Sequence, residues 1–142
     1  QPRGEVSEGG RSPPPSDVVD PRRSVGKRGE EEAARFLQKR GFIILDRNVR
    51  SRLGEIDLVA RDGKALVFVE VKTLRERDGD PPQAAVGQSK QRRLGQLAQH
   101  YLKRKRLGDV ACRFDVVAVT LDDQDRVTAL RHLPAAFEVE AW

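Results

Sequence analysis

Two short segments of this chain carry residues that could hydrolyse a phosphodiester bond. Glu55 and Asp57 lie in the first segment, and Glu70, 13 positions after Asp57, lies in the second with Lys72. Two carboxylates close together can share one hard cation such as Mg²⁺, which prefers oxygen ligands. A lysine beside them could offset phosphate charge or position a water molecule. These residue types therefore indicate metal-assisted phosphodiester hydrolysis.

A β-hairpin would bring the two segments together. The turn sequence Arg61-Asp62-Gly63-Lys64 lies between two apolar runs, and Asp-Gly in that setting is the strongest short-range hairpin signal. If Ala60 pairs with Ala65, Asp57 and Glu70 become diagonal neighbours roughly 7 Å apart at Cα. Side chains alternate along a strand, so both acids of the first segment and the acid and lysine of the second are predicted to share one face.

The alternative is an exposed hairpin face on which Glu55 and Lys72 form a structural ion pair. The apolar residues argue against this alternative, because Val59 and Phe68 occupy the same face and the opposite face is apolar too. A hairpin that is apolar on both sides is usually covered on both sides, which places the acids in a cleft. Charges are rarely kept in a cleft without a partner or a metal. We therefore expect a functional site, with Glu55 either in its outer shell or paired with Lys72.

The motifs also resemble a known family. An Asp followed after about a dozen residues by Glu-x-Lys on adjoining strands is similar to the core signature of the PD-(D/E)XK nuclease superfamily. From about residue 25 to about residue 137, the order and spacing of five motifs resemble the YraN family: Gly26-x-x-Gly29-Glu30-x-x-Ala33-x-x-Phe36-Leu37, Gly54-Glu55-Ile56-Asp57-Leu58, Phe68-Val69-Glu70-Val71-Lys72-Thr73, Lys90-Gln91-Arg92-Arg93-Leu94 and Arg113-Phe114-Asp115-Val116-Val117.

The resemblance implies a Holliday-junction-resolvase-like fold that acts on nucleic acid. It implies that Asp57 and Glu70 hold Mg²⁺ or Mn²⁺ with the help of the Val71 backbone carbonyl. Lys72 would orient or activate water, and Glu30 would complete the acidic pocket. Branched or structured DNA is the expected substrate, ahead of RNA. Junction-cleaving proteins of this fold act as dimers, so a homodimer is one expectation for the oligomeric state.

Glu30 also stands out by its position in the first predicted helix. It shares a helical stripe with Ala33, Ala34 and Leu37, which predicts that it points towards the sheet. The alternative is that Glu30 merely compensates the positive end of the helix dipole. We favour a role in the site, because alanines occupy both of its helical contact positions.

A basic segment indicates a polyanionic partner. Lysine and arginine number 27 against 22 acids, for a net charge of +5, and residues 90–106 contain no acid. Such a cluster is typical of a phosphate-backbone footprint, although a solvated helix face is the alternative. Lys90 lies on the apolar stripe of this helix, where it either touches phosphate or extends outward into solvent. The predicted nucleic-acid contacts are Lys90, Arg92, Arg93, Arg104 and Lys105.

Three other ionisable residues have a structural role as their prediction or as an open alternative. Asp115 could be a further cleft acid of the outer shell, but pairing with Arg113 or Arg126 explains it at least as well. His100 and His132 have no His, Cys or acid at the spacing of zinc ligands, which predicts surface or packing roles.

The chain is predicted to hold one folded domain. Residues 1–23 are rich in Gly, Pro and Ser and predict a disordered tail, and residues 24–142 form the nuclease-like domain. Helices are predicted at 24–40 and 88–106, and strands at 42–50, on both sides of the Asp-Gly turn, at 113–121 and at 126–133, with a loop at 73–82. The order α-β-β-β-α-β-β predicts an α/β fold, a mixed central sheet flanked by helices with a restriction-endonuclease-like core.

The function predicted from the sequence is a metal-dependent endonuclease in the cytoplasm. The single cysteine, Cys112, predicts a reducing compartment, and neither a signal peptide nor an apolar run long enough to span a bilayer is visible. The competing hypothesis is a non-catalytic nucleic-acid-binding or adaptor protein that keeps the nuclease fold. A third is a structural protein whose basic helix binds an acidic partner.

Overall fold

A computed structural model describes residues 21–78 and 86–138 of the chain. Its elements follow the predicted order α-β-β-β-α-β-β, with one short 3-10 helix at Glu76–Asp78. The helices and strands are α1 Pro21–Lys39, β1 Ile43–Ser51, β2 Gly54–Asp62, β3 Ala65–Arg75, α2 Gln88–Lys105, β4 Cys112–Leu121 and β5 Val127–Phe137. Neither helix in this described part is long and apolar enough to cross a bilayer.

The five strands form one mixed sheet in the order β1-β2-β3-β4-β5. Only β3 and β4 run parallel, because α2 carries the chain across the sheet between them, and the other neighbours are antiparallel. The predicted α/β fold with a mixed sheet is therefore confirmed, and it is consistent with the restriction-endonuclease-like core that the resemblance implies.

The two helices cover opposite faces of the sheet. Val67 and Val69 of β3 belong to the core cluster that contains Leu37 of α1. Phe68, which lies between them, belongs to the cluster that contains Leu97 of α2. Because successive residues of a strand point to opposite faces, β3 is covered on both sides.

Helix α1 begins at Pro21, three residues earlier than predicted. Proline suits the first turn of a helix, where its missing N–H would have no intrahelical partner. At the other end, Gly41 adopts a φ of 95°, and the N–H of Phe42 donates to the carbonyl of Leu37 at 3.0 Å. The predicted glycine stop is therefore confirmed. Residues 1–20 of the predicted tail lie outside the described residues.

The register of the β2–β3 hairpin differs from the prediction by two residues. Ala65 pairs with Asp62 instead of Ala60. The difference arises because the turn contains only two residues, Gly63 and Lys64, and Gly63 supplies the φ of 61° that a tight hairpin requires at its first central position. A shift of two residues, unlike a shift of one, leaves the side chains of the paired residues 58–62 and 65–69 on their predicted faces.

Strands β3 and β5 extend beyond their predicted ends. The segment at 73–75 was predicted to be a loop, but Thr73 pairs with Val119 of β4 and continues β3. The rest of that predicted loop is the 3-10 helix at Glu76–Asp78 and residues 79–82, and those four residues lie outside the described residues. Strand β5 continues past 133 to Phe137, because an edge strand tolerates Pro134.

Candidate metal and nucleic-acid site

The candidate site lies where β2 and β3 separate. The last residues paired between these strands are Leu58 and Val69. Beyond that pair, the backbone N–H of Val71 donates a hydrogen bond of 2.8 Å to the Oδ2 atom of Asp57. The carboxylate thus occupies the position that a β2 carbonyl would hold if the ladder continued. The hydrogen bond from Val71 therefore holds the Asp57 carboxylate between the two strands at the point where they separate.

Three carboxylates converge at this opening. One oxygen each from Glu30, Glu55 and Asp57 lies within 4.8 Å of the other two, and all three residues are partly buried. Glu30 comes from α1, and the other two come from β2. This grouping confirms that Glu30 points towards the sheet. Oxygen ligands at this spacing could hold a hard divalent cation.

Asn48 joins two of these acids. Its Nδ2 atom donates to Oε1 of Glu30 at 2.9 Å and to Oε2 of Glu55 at 2.8 Å. Asn48 has a φ of 49°, and asparagine adopts this left-handed conformation more readily than most residues do. Asn48 was not predicted as a site residue, because a single asparagine inside a strand carries no periodic signal. Glu55 also accepts a hydrogen bond of 3.0 Å from Arg50, so its ion pair is with Arg50 and not with Lys72.

A close approach of α1 to β3 sets the position of Glu30. Gly29 precedes Glu30, and a Cβ atom built on Gly29 would lie 1.9 Å from Oγ1 of Thr73 and 2.9 Å from its Cβ. Any side chain at position 29 would therefore push α1 away from β3. Glycine at this point lets the helix carry Glu30 up to the opening in the sheet.

Glu70 has different partners from those of the three clustered acids. Only 6% of it is exposed, and its Oε2 atom lies 2.5 Å from Nζ of Lys90 on α2 and 3.9 Å from Nζ of Lys72. Lys90 therefore faces the sheet, which is one of the two orientations considered for it from the sequence. The Glu70 side chain meets α2, whereas Asp57 meets Glu30 of α1.

The acids thus meet different helices, so the prediction that Glu55 and Asp57 share one face of the hairpin with Glu70 and Lys72 is wrong. Strict alternation in β2 would place Ile56 and Leu58 on the same face. Instead Ile56 packs in the cluster beside α2 and Leu58 in the cluster beside α1. The distortion falls at the intervening residue, Asp57, so its carboxylate lies between Glu70 and the acids near α1.

The electrostatics of Asp57 reflect this position. Burial raises its pKa from 3.8 to about 7, and the charges of Glu70, Glu30 and Glu55 push it in the same direction. The hydrogen bond from Val71 opposes the shift. The acids therefore repel one another, and a cation placed among them would relieve that repulsion.

The other predicted nucleic-acid contacts, Arg92, Arg93, Arg104 and Lys105, lie along α2. Arg92 and Arg93 are exposed, and the Cδ atom of Arg93 lies 3.4 Å from where a Gly54 Cβ would stand, next to Glu55. Arg104 lies eleven residues further along, about 16 Å by helix geometry. Within the part of the chain that the structure describes, none of these three arginines forms an ion pair with an acid. Lys105 differs, because its Nζ atom lies 3.7 Å from Oδ2 of Asp46.

Asp115 is not a cleft acid, and its predicted place in the outer shell is wrong. It is fully buried on the α1 side of β4 and accepts hydrogen bonds from Arg113 at 2.9 and 3.2 Å, from the backbone N–H of Ala135 at 2.9 Å and, through Nε2, from His132 at 2.8 Å. The alternative pairing with Arg113 is confirmed. His132 is a buried partner of this acid, and Arg113 also binds Asp62 at 3.0 Å. This polar cluster of Arg113, Asp115 and His132 joins β4 to β5.

Comparison with known proteins shows which family this chain belongs to. Residues 29–119 match the model of the family described as Uncharacterised protein family UPF0102. A UPF0102 protein from Syntrophotalea carbinolica is 46% identical over 121 residues, covering 85% of this chain and 97% of that protein. The chain belongs to family UPF0102, also called the YraN family. The resemblance drawn from the motifs is thereby confirmed.

Other UPF0102 relatives match at similar levels. The UPF0102 protein of Pelobacter propionicus is 46% identical over 133 residues, covering 92% of this chain and 94% of the relative. The UPF0102 protein GSU0650 of Geobacter sulfurreducens is 48% identical over 115 residues, covering 81% and 89%. The segment matched by the UPF0102 family model begins at Gly29 and ends at Val119, so it contains the four acids at the opening and the two lysines that contact Glu70.

Proposed function

We propose that this protein is a Mg²⁺- or Mn²⁺-dependent endonuclease that hydrolyses phosphodiester bonds in nucleic acid. The observation that carries the proposal is the convergence of Glu30, Glu55 and Asp57 at the point where β2 and β3 separate. A fourth acid, Glu70, lies beside Asp57 and is contacted by two lysines. Membership of family UPF0102 is compatible with this chemistry but does not by itself assign it.

The donor set fits a hard divalent cation. The available ligands are carboxylate oxygens, which Mg²⁺ and Mn²⁺ prefer over nitrogen or sulfur. Mg²⁺ usually keeps several waters and needs only one or two protein carboxylates, so a cluster of three is sufficient. Glu30, Glu55 and Asp57 would hold the cation. The second arrangement is Asp57 and Glu70 with the Val71 carbonyl, the set that the family resemblance implies.

The residues around the acids suit attack on a phosphate. A bound cation would supply a polarised phosphoryl oxygen and an acidified water. Lys72 is about one third exposed, so its ammonium group can reach a bound phosphate and stabilise the charge that develops on it. The Val71 N–H keeps Asp57 oriented, and Asn48 keeps Glu30 and Glu55 together.

The exposed arginines suit the phosphate backbone of structured or branched DNA. Arg92 and Arg93 lie near the N-terminal end of α2, and Arg104 lies about 16 Å from Arg93 along the helix axis. Unpaired guanidinium groups at both ends of a helix would contact phosphates and orient the substrate without reading its sequence. A homodimer would present two such helices to a branched substrate.

A specific observation favours a second candidate, the non-catalytic nucleic-acid-binding or adaptor protein. Each acid at the opening already has a protein partner: Asn48 for Glu30, Arg50 for Glu55, the Val71 N–H for Asp57 and Lys90 for Glu70. A network satisfied in this way can serve structure alone. The same helix surface would then bind nucleic acid without cutting it.

A cleavage panel distinguishes the two candidates. Four-way junctions, flaps, single strands and duplexes of DNA and RNA are incubated with Mg²⁺ or Mn²⁺ and with wild type, Lys72→Ala or Lys64→Ala. We expect the wild type and Lys64→Ala, which changes an exposed lysine in the β2–β3 turn, to cut the same substrates. Lys72→Ala should bind them but cut at least 100-fold more slowly, because it removes charge stabilisation in the transition state.

Two results would count against the enzyme. If folded, metal-supplied wild type binds members of the panel and cuts none, the adaptor is the better account. If Lys72→Ala cuts as fast as Lys64→Ala, the lysine has no part in the reaction and the site must lie elsewhere. Raising the salt concentration provides a separate measure, because phosphate contacts release counterions and make affinity fall steeply with salt.

A further inference from the structure

The ion pair between Glu70 and Lys90 bears on how a cation could enter the proposed site. The Glu70 carboxylate is 6% exposed, and a buried charge is costly unless an opposite charge accompanies it. Lys90 supplies that charge at 2.5 Å, while Lys72 is 3.9 Å from the same oxygen atom. Lys90 is therefore the principal counterion of Glu70.

The ammonium group of Lys90 is also able to move away from Glu70. Its side chain is 41% exposed, against 33% for Lys72, and it projects from the first turn of α2, which begins at Gln88. Lysine carries a compact charge on a flexible four-carbon stem, so the ammonium group can move several ångströms without moving the helix. A divalent cation on Oε2 and an ammonium group 2.5 Å from that same atom would repel each other strongly. The two cations therefore compete for one oxygen.

We propose that Lys90 is a displaceable counterion of Glu70, which a divalent cation replaces on Oε2, and that the released ammonium group then binds a phosphate of the nucleic acid. This inference rests on the proposed function, in the arrangement of its metal site in which Asp57 and Glu70 hold the cation. It assigns Lys90 a positioning role, distinct from that of Lys72. Metal and nucleic acid would then support each other's binding, because the metal frees the lysine and phosphate gives the lysine a new partner.

The test begins with metal affinity in the absence of nucleic acid. Mn²⁺ is titrated by calorimetry into wild type, Lys90→Met and Lys64→Met at low ionic strength. Lys64→Met is the matched control, since it makes the same change of charge in an exposed turn at the other end of β2. We expect Lys90→Met to bind Mn²⁺ about tenfold more tightly than wild type, the gain from removing one neighbouring positive charge. Lys64→Met should stay within twofold of wild type.

A second measurement uses a short DNA duplex and fluorescence anisotropy, with Ca²⁺ as the oxygen-seeking cation. In wild type, Ca²⁺ should tighten DNA binding severalfold, and in Lys90→Met this coupling should be lost. Opposite effects of one substitution on metal affinity and on metal–DNA coupling are not expected of a merely structural ion pair. If Lys90→Met does not fold, Lys90→Gln repeats both measurements, because glutamine can still donate a hydrogen bond to Glu70.

The outcomes separate this inference from the proposed function. If wild type and Lys90→Met bind Mn²⁺ equally and Asp57→Asn abolishes binding in both, the metal site stands and the role of Lys90 is refuted. If Mn²⁺ binds to Lys90→Met but not to wild type, the competition is supported in its strongest form. If Mn²⁺ binds to neither protein, the metal site and the inference both fail.

Discussion

The raised pKa of Asp57 leads to a prediction about stability and pH. In the folded protein this carboxyl group holds its proton up to about pH 7, whereas in the unfolded chain it releases the proton near its ordinary value of 3.8. Between those two pH values the folded state binds more protons than the unfolded state. The contribution of Asp57 to the free energy of unfolding therefore falls as the pH rises from about 4 to about 7 and stays constant above that.

The magnitude follows from the width of this interval. Three pH units at about 1.4 kcal/mol each set a limit of about 4 kcal/mol. Partial access of solvent to the carboxylate reduces the expected value to about 2–4 kcal/mol. Asp57→Asn keeps the shape of the protonated side chain and can still accept the Val71 N–H. The variant should match wild type at pH 4 and become more stable than wild type by this amount at pH 8.

Asp122→Asn is a control with the opposite sign. Asp122 accepts backbone N–H groups from Gln124 and Arg126, and these hydrogen bonds hold its pKa below the ordinary range. Its carboxylate therefore contributes stability above the unfolded-state pKa, and that stability is lost as the pH falls through the lower folded-state pKa. Asp122→Asn should be less stable than wild type at neutral pH and approach it in acid.

Urea unfolding followed by far-UV circular dichroism measures both effects, at several pH values between 4 and 8 for Asp57→Asn and also below pH 4 for Asp122→Asn. Addition of Mg²⁺ at pH 8 should stabilise wild type and leave Asp57→Asn nearly unchanged, because the cation removes the repulsion among the acids. The reasoning would be refuted by stability curves for wild type and Asp57→Asn that run parallel over the whole pH range. Such curves would mean that the Asp57 carboxylate is solvated and ionised like an ordinary surface acid.

Three further predictions concern single positions. Gly29→Ala should lower the free energy of unfolding by about 1–3 kcal/mol, because the added Cβ would meet Thr73 of β3. Gly26→Ala, where an added Cβ would have no atom within 4 Å, should raise it by up to about 1 kcal/mol. Equal thermal stabilities of the two variants would contradict this prediction. Asn48→Gly keeps the left-handed backbone but removes the bridge between two acids, and should weaken Mn²⁺ binding severalfold in a calorimetric titration. Arg106→Gly, at the left-handed C-cap of α2, should gain about 1 kcal/mol without altering Mn²⁺ affinity, so equal Mn²⁺ affinities for both glycine variants would exclude the bridging role. Asp115→Asn should cost about 3 kcal/mol in urea unfolding, since it removes the buried charge that pairs with the half-buried Arg113 and the buried His132. A loss below about 1 kcal/mol would show that this cluster is solvated.

Most of the fold was predictable from local patterns. The apolar stripe of α2 predicted its start at Gln88, and Gly41 predicted where α1 stops. The Asp-Gly turn predicted the central hairpin, although the register was wrong by two residues. Turn residues identify a hairpin reliably, but the number of residues in the turn depends on which φ each residue adopts.

The candidate site was only partly predictable. Glu30 was predicted to face the sheet because it lies on an apolar helical stripe, and for Lys90 this orientation was one of two alternatives. The structure places both beside the opening. Asn48 and the pairing of Glu70 with Lys90 were not predicted, since neither follows from spacing along one element. Asp115 was considered as a cleft acid, and alternation along β4 could not show that His132 of β5 would lie next to it.

The sequence by itself determined the family, the α/β order of elements and the residue types that meet at the opening, because periodicity, turn chemistry and motif spacing are all local properties of the chain. Only the tertiary structure decided which partner each of those residues contacts. The β2–β3 ladder ends at Leu58 and Val69, and the gap lets acids from α1 and β2 meet on one side while Lys90 of α2 reaches Glu70 on the other. The end of a ladder is set by packing on both faces of the sheet, which is a balance of contacts between residues far apart in the chain.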